Sequence, residues 1–141
     1  MNYSDLENDR RIKRGKFSKK QIEETMNLAK RDIETAKKIV GDNQDWGFSI
    51  AYNAMLQASR ALMFYKGYRP IGERQHAAVI EFVEIALDKK FAPFIEFMDR
   101  MRRKRHRAVY DIGGLISTKE ALEAIENATW FVQNVVDILK P

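Results

Sequence analysis

Apolar residues recur at steps of three and four along most of the chain, and this spacing predicts helices. The first clear stripe follows Ser18 and consists of Ile22, Met26, Ala29, Ile33, Ala36 and Val40. Ser18 and Gln21 have the capping-box spacing that marks a helix start, and Gly41 can end the helix. The pattern therefore predicts a first long helix between Ser18 and Gly41.

Four more helices are predicted from the same kind of pattern. A second long one runs from Asp45, a candidate N-cap, to Gly67 just beyond its end, and its alanine-rich stripe allows a neighbouring helix to approach closely. A shorter helix follows over residues 73–88. Pro93 suits the first turn of a fourth helix, because its missing N–H needs no partner there. The capping box Ser117–Glu120 begins the fifth.

No stretch of the chain alternates apolar and polar residues with a period of two, so no strand is predicted. The predicted fold class is all-α, a four-helix up-and-down bundle with one additional short helix, formed by residues 18–141. Residues 1–17 are polar, carry five basic groups and lack an apolar period. We predict that they form a flexible basic arm, which could also add salt-sensitive affinity for phosphate.

The amino-acid composition limits which classes of function and ligand the protein can have. Lys and Arg total 25 against 20 Asp and Glu, a net charge of +5 that favours anionic partners. The chain has no cysteine and two histidines, which excludes a disulfide framework and a zinc–thiolate site. We therefore predict no metal and no cofactor. Neither a signal-peptide pattern nor a run of 18 apolar residues occurs, so we expect a cytoplasmic protein without a membrane segment.

The fourth helix carries a basic residue on its apolar face. Phe94, then Phe97 or Met98, and Met101 lie on that face, and the next steps reach Arg105 and then Ala108 or Val109. An arginine facing the core needs an anion, a dipole or a water-filled groove, because leaving it unpaired there costs several kcal/mol. The alternative is that Arg105 extends to the edge of the bundle or pairs with a nearby carboxylate.

Other basic groups surround Arg105. They are candidates for nucleic-acid binding, and the alternative is that they form a solvated charged face. These residues are Arg100, Arg102, Arg103, Lys104 and Arg107. His106 and Tyr110 are one helical turn apart, so their rings can share a face beside Arg105. His76, by contrast, precedes an apolar run and is interpreted as a surface or capping residue. Tyr52 is interpreted as a core residue, and the alternative is that it offers a stacking surface for bases.

The segment "SIAYNAMLQASRALMFYKGYRP", His76, "RRKRHRAVYD" and the closing amphipathic helix together resemble a small prokaryotic HEPN domain protein over residues 18–140. The family signature is an arginine, usually a small polar residue, three further residues and a histidine. Arg105 and His106 match its first two positions, and Tyr110 stands where the histidine is expected. A second register, from Arg100 to His106, fits a looser spacing but leaves Arg100 off the apolar stripe.

The resemblance implies a homodimer in which the signature segments of two subunits face one cleft. It also implies a metal-independent ribonuclease, or a partner of a minimal nucleotidyltransferase in a toxin–antitoxin pair. RNA cleavage without metal needs proton transfer and a cation for the phosphate, which makes Arg105, His106 and Tyr110 the candidate catalytic residues. A tyrosine is a much weaker proton acceptor than an imidazole at neutral pH. The alternative is a non-catalytic module that binds RNA, a nucleotide or a partner protein.

Overall fold

Helices dominate the computed structural model, which describes residues 1–111 and 113–140. Within those residues the helices are α1 (Tyr3–Asn8), α2 (Lys19–Ile39), α3 (Gln44–Tyr65), α4 (Gln75–Ala86), α5 (Ala92–His106) and α6 (Thr118–Leu139). A short 3-10 turn, Lys89–Phe91, precedes α5, and the π-helical segment Arg107–Asp111 continues it. The predicted all-α bundle is confirmed. Ile112 and Pro141, which belong to the predicted domain, lie outside the described residues, as do the side chains of Val109 and Asp111.

Helix α3 lies at the centre of the bundle and contacts α2, α4, α5 and α6. Its alanines have no exposed surface, which lets neighbouring helices come close; they are Ala51, Ala54, Ala58 and Ala61. The connection between α2 and α3 is also tight. A Cβ atom on Gly47 would lie 2.9 Å from Cβ of Val40, so a glycine is needed where the two helices meet.

The two predicted capping boxes are both present. Ser18 Oγ accepts a hydrogen bond from the Gln21 N–H at the start of α2, and Ser117 Oγ accepts one from the Glu120 N–H at the start of α6. Each glutamine or glutamate side chain accepts a bond from the backbone N–H of its serine in return. Local sequence therefore determines where the first and last long helices begin.

The predicted N-cap of α3 is wrong. Asn43 caps the helix by accepting a hydrogen bond from the Trp46 N–H at 3.0 Å. The Asp45 carboxylate instead accepts bonds from the backbone N–H groups of Gly114, at 2.6 Å, and Ile116, at 3.3 Å. Asn43 and Asp45 can both cap a helix. The bonds from Asp45 to the loop before α6 favour the arrangement in which Asn43 is the N-cap.

Within residues 1–17, for which the sequence predicts a flexible arm, Tyr3–Asn8 form α1 and Ile12–Arg14 form strand β1. Strand β1 pairs antiparallel with β2 (Tyr68–Pro70), and Ile12 lies opposite Pro70. Leu6 is fully buried and Ile12 is 2 % exposed. Two apolar residues six positions apart are too few to produce a recognisable period, yet both bury against the bundle. None of the helices described has the length and apolar character needed to span a membrane.

Candidate functional site

A cleft of about 870 Å³ opens where the start of α4, the end of α5 and one side chain of α3 meet. Its lining includes six arginines, which are Arg60, Arg74, Arg102, Arg103, Arg105 and Arg107. Glu73 is the one carboxylate among the lining residues that the structure describes. We call this feature the arginine cleft. Such an excess of positive charge in a concave surface attracts and concentrates anions.

Arg105 occupies the inner part of the arginine cleft. Its side chain is half-buried, and its Cζ atom lies 5.7 Å from the centroid of the Tyr52 ring, close enough for a cation–π interaction. Its Nε atom is buried and has no hydrogen-bond partner among the described residues. Since an unsatisfied buried donor is costly, this N–H favours a ligand or water that can accept a bond from it.

Tyr52 and His76 form a pair beside Arg105. The Tyr52 hydroxyl lies 3.3 Å from Nδ1 of His76, and the two ring centroids are 5.8 Å apart. Burial raises the pKa of Tyr52 well above its usual range, so its hydroxyl keeps its proton at neutral pH. Burial, and then the positive charges of Arg105, Arg60 and Arg102, lower the pKa of His76. Both effects favour the neutral form of the His76 imidazole.

The start of α4 adds a further positive element to the cleft. Residues 72–77 line it, and the N-cap residue of α4, Arg74, makes no side-chain capping bond. The first N–H groups of an uncapped helix carry partial positive charge and bind anions. The start of α4 therefore attracts anions, as the arginines do.

The HEPN domain family model matches residues 22–139 of the chain. The chain belongs to the HEPN domain family. The match spans α2 to α6 and includes every lining residue of the arginine cleft, whereas α1 and β1 precede it. HEPN domains are often associated with nucleotides or RNA, and they often dimerise. No curated protein matches the chain.

His106 and Tyr110, which the sequence predicts as site residues, line the same cleft as Arg105. Their ring centroids are 5.0 Å apart with planes inclined by 44°, and the Tyr110 side chain is 67 % exposed. The segment that holds Tyr110 has π-helical backbone, a conformation that is rare and is frequently found at functional sites. Arg105, His106 and Tyr110 are thus brought together as their sequence spacing predicts.

Of the five basic residues predicted to bind nucleic acid, three line the arginine cleft and two do not. Arg102, Arg103 and Arg107 line the arginine cleft. The carboxylate of Asp99 accepts bonds from Arg102, at 3.1 Å, and Arg103, at 3.2 Å, and so orders these two side chains at the cleft wall. These three residues lie where a bound phosphate can reach them.

Arg100 and Lys104 do not line the arginine cleft, and their role in nucleic-acid binding stays a prediction. Arg100 pairs with Glu96 at 3.4 Å, and Lys104 pairs with Glu120 at the start of α6. The bond from Lys104 is the main cause that lowers the pKa of Glu120. Arg100 and Lys104, which lie one helical turn apart, instead line a separate pocket together with Phe97 and Glu120.

Three residues of the site were not predicted. Arg60 lies off the alanine-rich stripe of α3, so the argument that identified Arg105 as an interruption of an apolar face does not detect it. Arg74 and His76 follow a loop after β2, and only the packing of α4 against α5 brings them to the cleft. His76 is half-buried there, in contrast to the surface or capping role that its sequence context suggests.

No cluster of three His, Cys, Asp or Glu side chains that could hold a metal ion occurs in residues 1–111 and 113–140. The side chains that converge on the arginine cleft are guanidinium groups, two imidazoles and a phenol. Guanidinium groups bind oxyanions and do not ligate metal cations. The described lining is therefore suited to an anionic ligand.

Proposed function

We propose that the arginine cleft binds single-stranded RNA through its phosphate groups. The observation that carries this proposal is the convergence of six arginines, from three parts of the fold, on one cleft. A guanidinium group presents N–H donors in a planar fork that matches the oxygens of a phosphate. Membership of the HEPN family supports the proposal, because HEPN domains are often associated with nucleotides or RNA.

A single strand suits this cleft better than a duplex. Tyr110 and His106 place two exposed rings at the cleft, beside the arginines. Unpaired bases stack on aromatic side chains, whereas the bases of a duplex already stack on one another. The combination of guanidinium groups for the backbone and rings for the bases therefore favours an unpaired strand.

The proposal is tested with two variants that each remove one positive charge, one inside the arginine cleft and one outside it. Binding of a fluorescein-labelled single-stranded RNA is measured by anisotropy in EDTA at several salt concentrations. We expect Arg107→Gln to weaken binding and to reduce the slope of log K against log salt by about one, because one phosphate contact is lost. Arg100→Gln, which removes the same charge outside the cleft, should change neither quantity. Equal effects of the two variants would contradict the proposal.

A second candidate function is metal-independent cleavage of the bound RNA, for which the observation is the position of His106 and Tyr110 beside Arg105. His106 would take the proton of a 2′-hydroxyl, and the 2′-oxygen would attack the adjacent phosphorus. The bond to the 5′-oxygen would then break, and that oxygen would leave with a proton from water. Arg105 would bind the charge that develops on the phosphate.

Cleavage is tested directly with purified protein, single-stranded RNA and EDTA. The expected products end in a 2′,3′-cyclic phosphate, and Arg105→Ala should abolish cleavage while changing the melting temperature little. If the RNA stays intact and Arg105→Ala only weakens a complex, the cleft belongs to a non-catalytic binding module. The absence of a histidine at position 110 favours that outcome.

The proposal also includes two protein partners and a location, which follow from the HEPN family. We expect a cytoplasmic homodimer that is encoded beside a minimal nucleotidyltransferase, as in a toxin–antitoxin pair. Sedimentation of the purified chain tests dimerisation, and co-purification with the product of the adjacent gene tests the pairing. A monomer that retains full RNA binding would remove the dimer from the proposal.

A further inference from the structure

Tyr52 and His76 lie at the arginine cleft but outside the residues of the family signature. Tyr52 is fully buried, and its hydroxyl proton needs an acceptor because a buried hydroxyl that does not donate is costly. Within the part of the chain that the structure describes, the hydroxyl has one hydrogen-bond partner, Nδ1 of His76 at 3.3 Å. The Tyr52 hydroxyl therefore donates to Nδ1.

This bond determines where the proton of His76 lies. A neutral imidazole carries one N–H, so a ring whose Nδ1 accepts a hydrogen bond holds its proton on Nε2. Nε2 is on the opposite edge of the ring, and it makes no hydrogen bond to another described residue. It is also not one of the buried polar atoms that lack a partner, so it reaches the solvent of the cleft that His76 lines.

The surroundings of His76 favour its neutral form. Arg60 from α3 and both Arg102 and Arg105 from α5 act on the ring with positive charge, and the half-buried position removes it from part of the solvent. A further cation at this point would be repelled by all three guanidinium groups. The cleft thus contains a neutral N–H donor among charged ones.

We infer that His76 is a phosphate-binding residue of the arginine cleft, which donates a hydrogen bond from Nε2 as a neutral imidazole whose tautomer is fixed by Tyr52. This inference rests on the proposed binding of RNA. Its role differs from that of the arginines, because it contributes a directional bond and no net charge. A phosphate oxygen that reaches Arg105 and accepts from His76 is held from two helices, α5 and α4.

The first test separates the donor from the shape of the side chain. The amide N–H of glutamine can occupy roughly the place of Nε2, so His76→Gln should keep most of the RNA affinity. His76→Leu should weaken binding about two- to tenfold, which corresponds to one neutral hydrogen bond. Neither variant should change the salt slope, since neither removes a charge, whereas Arg107→Gln should reduce it.

The second test measures the tautomer itself, by long-range ¹⁵N–¹H correlation of the histidine rings in the free protein. We expect the Nε2–H form for His76 in the wild type, and a mixture of both forms in Tyr52→Phe. This measurement tests the position of the His76 proton, on which the inference depends, even if His76→Leu fails to fold. An Nδ1–H tautomer in the wild type would overturn the inference.

The outcomes also separate this inference from the proposed function. If the wild type binds RNA and His76→Leu binds equally well with the same slope, the inference fails and the proposed function stands. If Gln and Leu weaken binding equally, the N–H donor is not what matters and the inference fails as well. If the wild type does not bind RNA, the proposed function fails first, and the role of His76 fails with it.

Discussion

The guanidinium carbon of Arg105 lies 5.7 Å from the centre of the buried Tyr52 ring. This contact connects α5 to the central helix α3, and the hydroxyl at the other end of the same ring connects α3 to His76 on α4. A change at Tyr52 is therefore expected to affect both the cation and the imidazole of the arginine cleft.

The stability of the protein should depend on pH through His76. Its folded pKa is lowered by burial and by Arg105, Arg60 and Arg102, whereas the unfolded chain has a pKa of about 6.5. Between these two values the unfolded state binds more protons, so the free energy of unfolding falls as pH decreases through that window and is constant above it. Urea denaturation at a series of pH values measures this dependence.

The variant His76→Gln isolates that contribution, because glutamine does not titrate. The difference in unfolding free energy between wild type and His76→Gln should change in favour of the variant as pH falls from 7.5 to about 5. A difference that stays constant over this range would show that the pKa of His76 is the same in the folded and unfolded states.

Asp45 should stabilise the loop that precedes α6. Its carboxylate accepts backbone bonds from Gly114, at 2.6 Å, and Ile116, at 3.3 Å. Asp45→Ala should lower the free energy of unfolding by about 1–3 kcal/mol, since it removes hydrogen bonds to a charged acceptor. Asp42→Ala is the matched control, because Asp42 is exposed and makes no side-chain bond to another described residue. Thermal melts that show equal losses would contradict this role.

The N-terminal segment should contribute to stability through its buried side chains. Ile12 is 2 % exposed, whereas Lys13, the next residue in β1, is exposed. Ile12→Ala should cost about 2–5 kcal/mol, and Lys13→Ala should change stability by less than about 0.5 kcal/mol. Chemical denaturation measures both values. Two near-neutral variants would support the flexible arm that the sequence predicts.

Sequence periodicity is sufficient to predict whether a side chain faces inward where this depends only on the phase of its own helix. The step from Met101 to Arg105 predicts that an arginine faces inward, and Arg105 is half-buried at the cleft. The same local signals predict both capping boxes. The phase of α5 does not show which of its basic residues border a cleft, since Arg100 and Arg103 are neighbours on the helix surface and only Arg103 lines the arginine cleft.

Other features depend on contacts between distant segments, which a single helical pattern does not contain. Asp45 reaches a loop 69 residues later, and β1 pairs with a strand more than 50 residues away. His76 gains its environment from side chains of α3 and α5. For such residues the sequence gives the chemical type, and tertiary packing decides what each side chain contacts.

The central claim is that an RNA phosphate enters the arginine cleft and is bound by Arg105. The most direct measurement follows the arginine Nε–H resonances by NMR while single-stranded RNA is added to the protein. We predict that the Arg105 Nε–H signal shifts and becomes protected from exchange, because a phosphate oxygen supplies its missing acceptor, while the Arg100 signal does not change. Shifts at Arg100 with an unchanged Arg105 signal would place the RNA outside the arginine cleft and contradict this prediction.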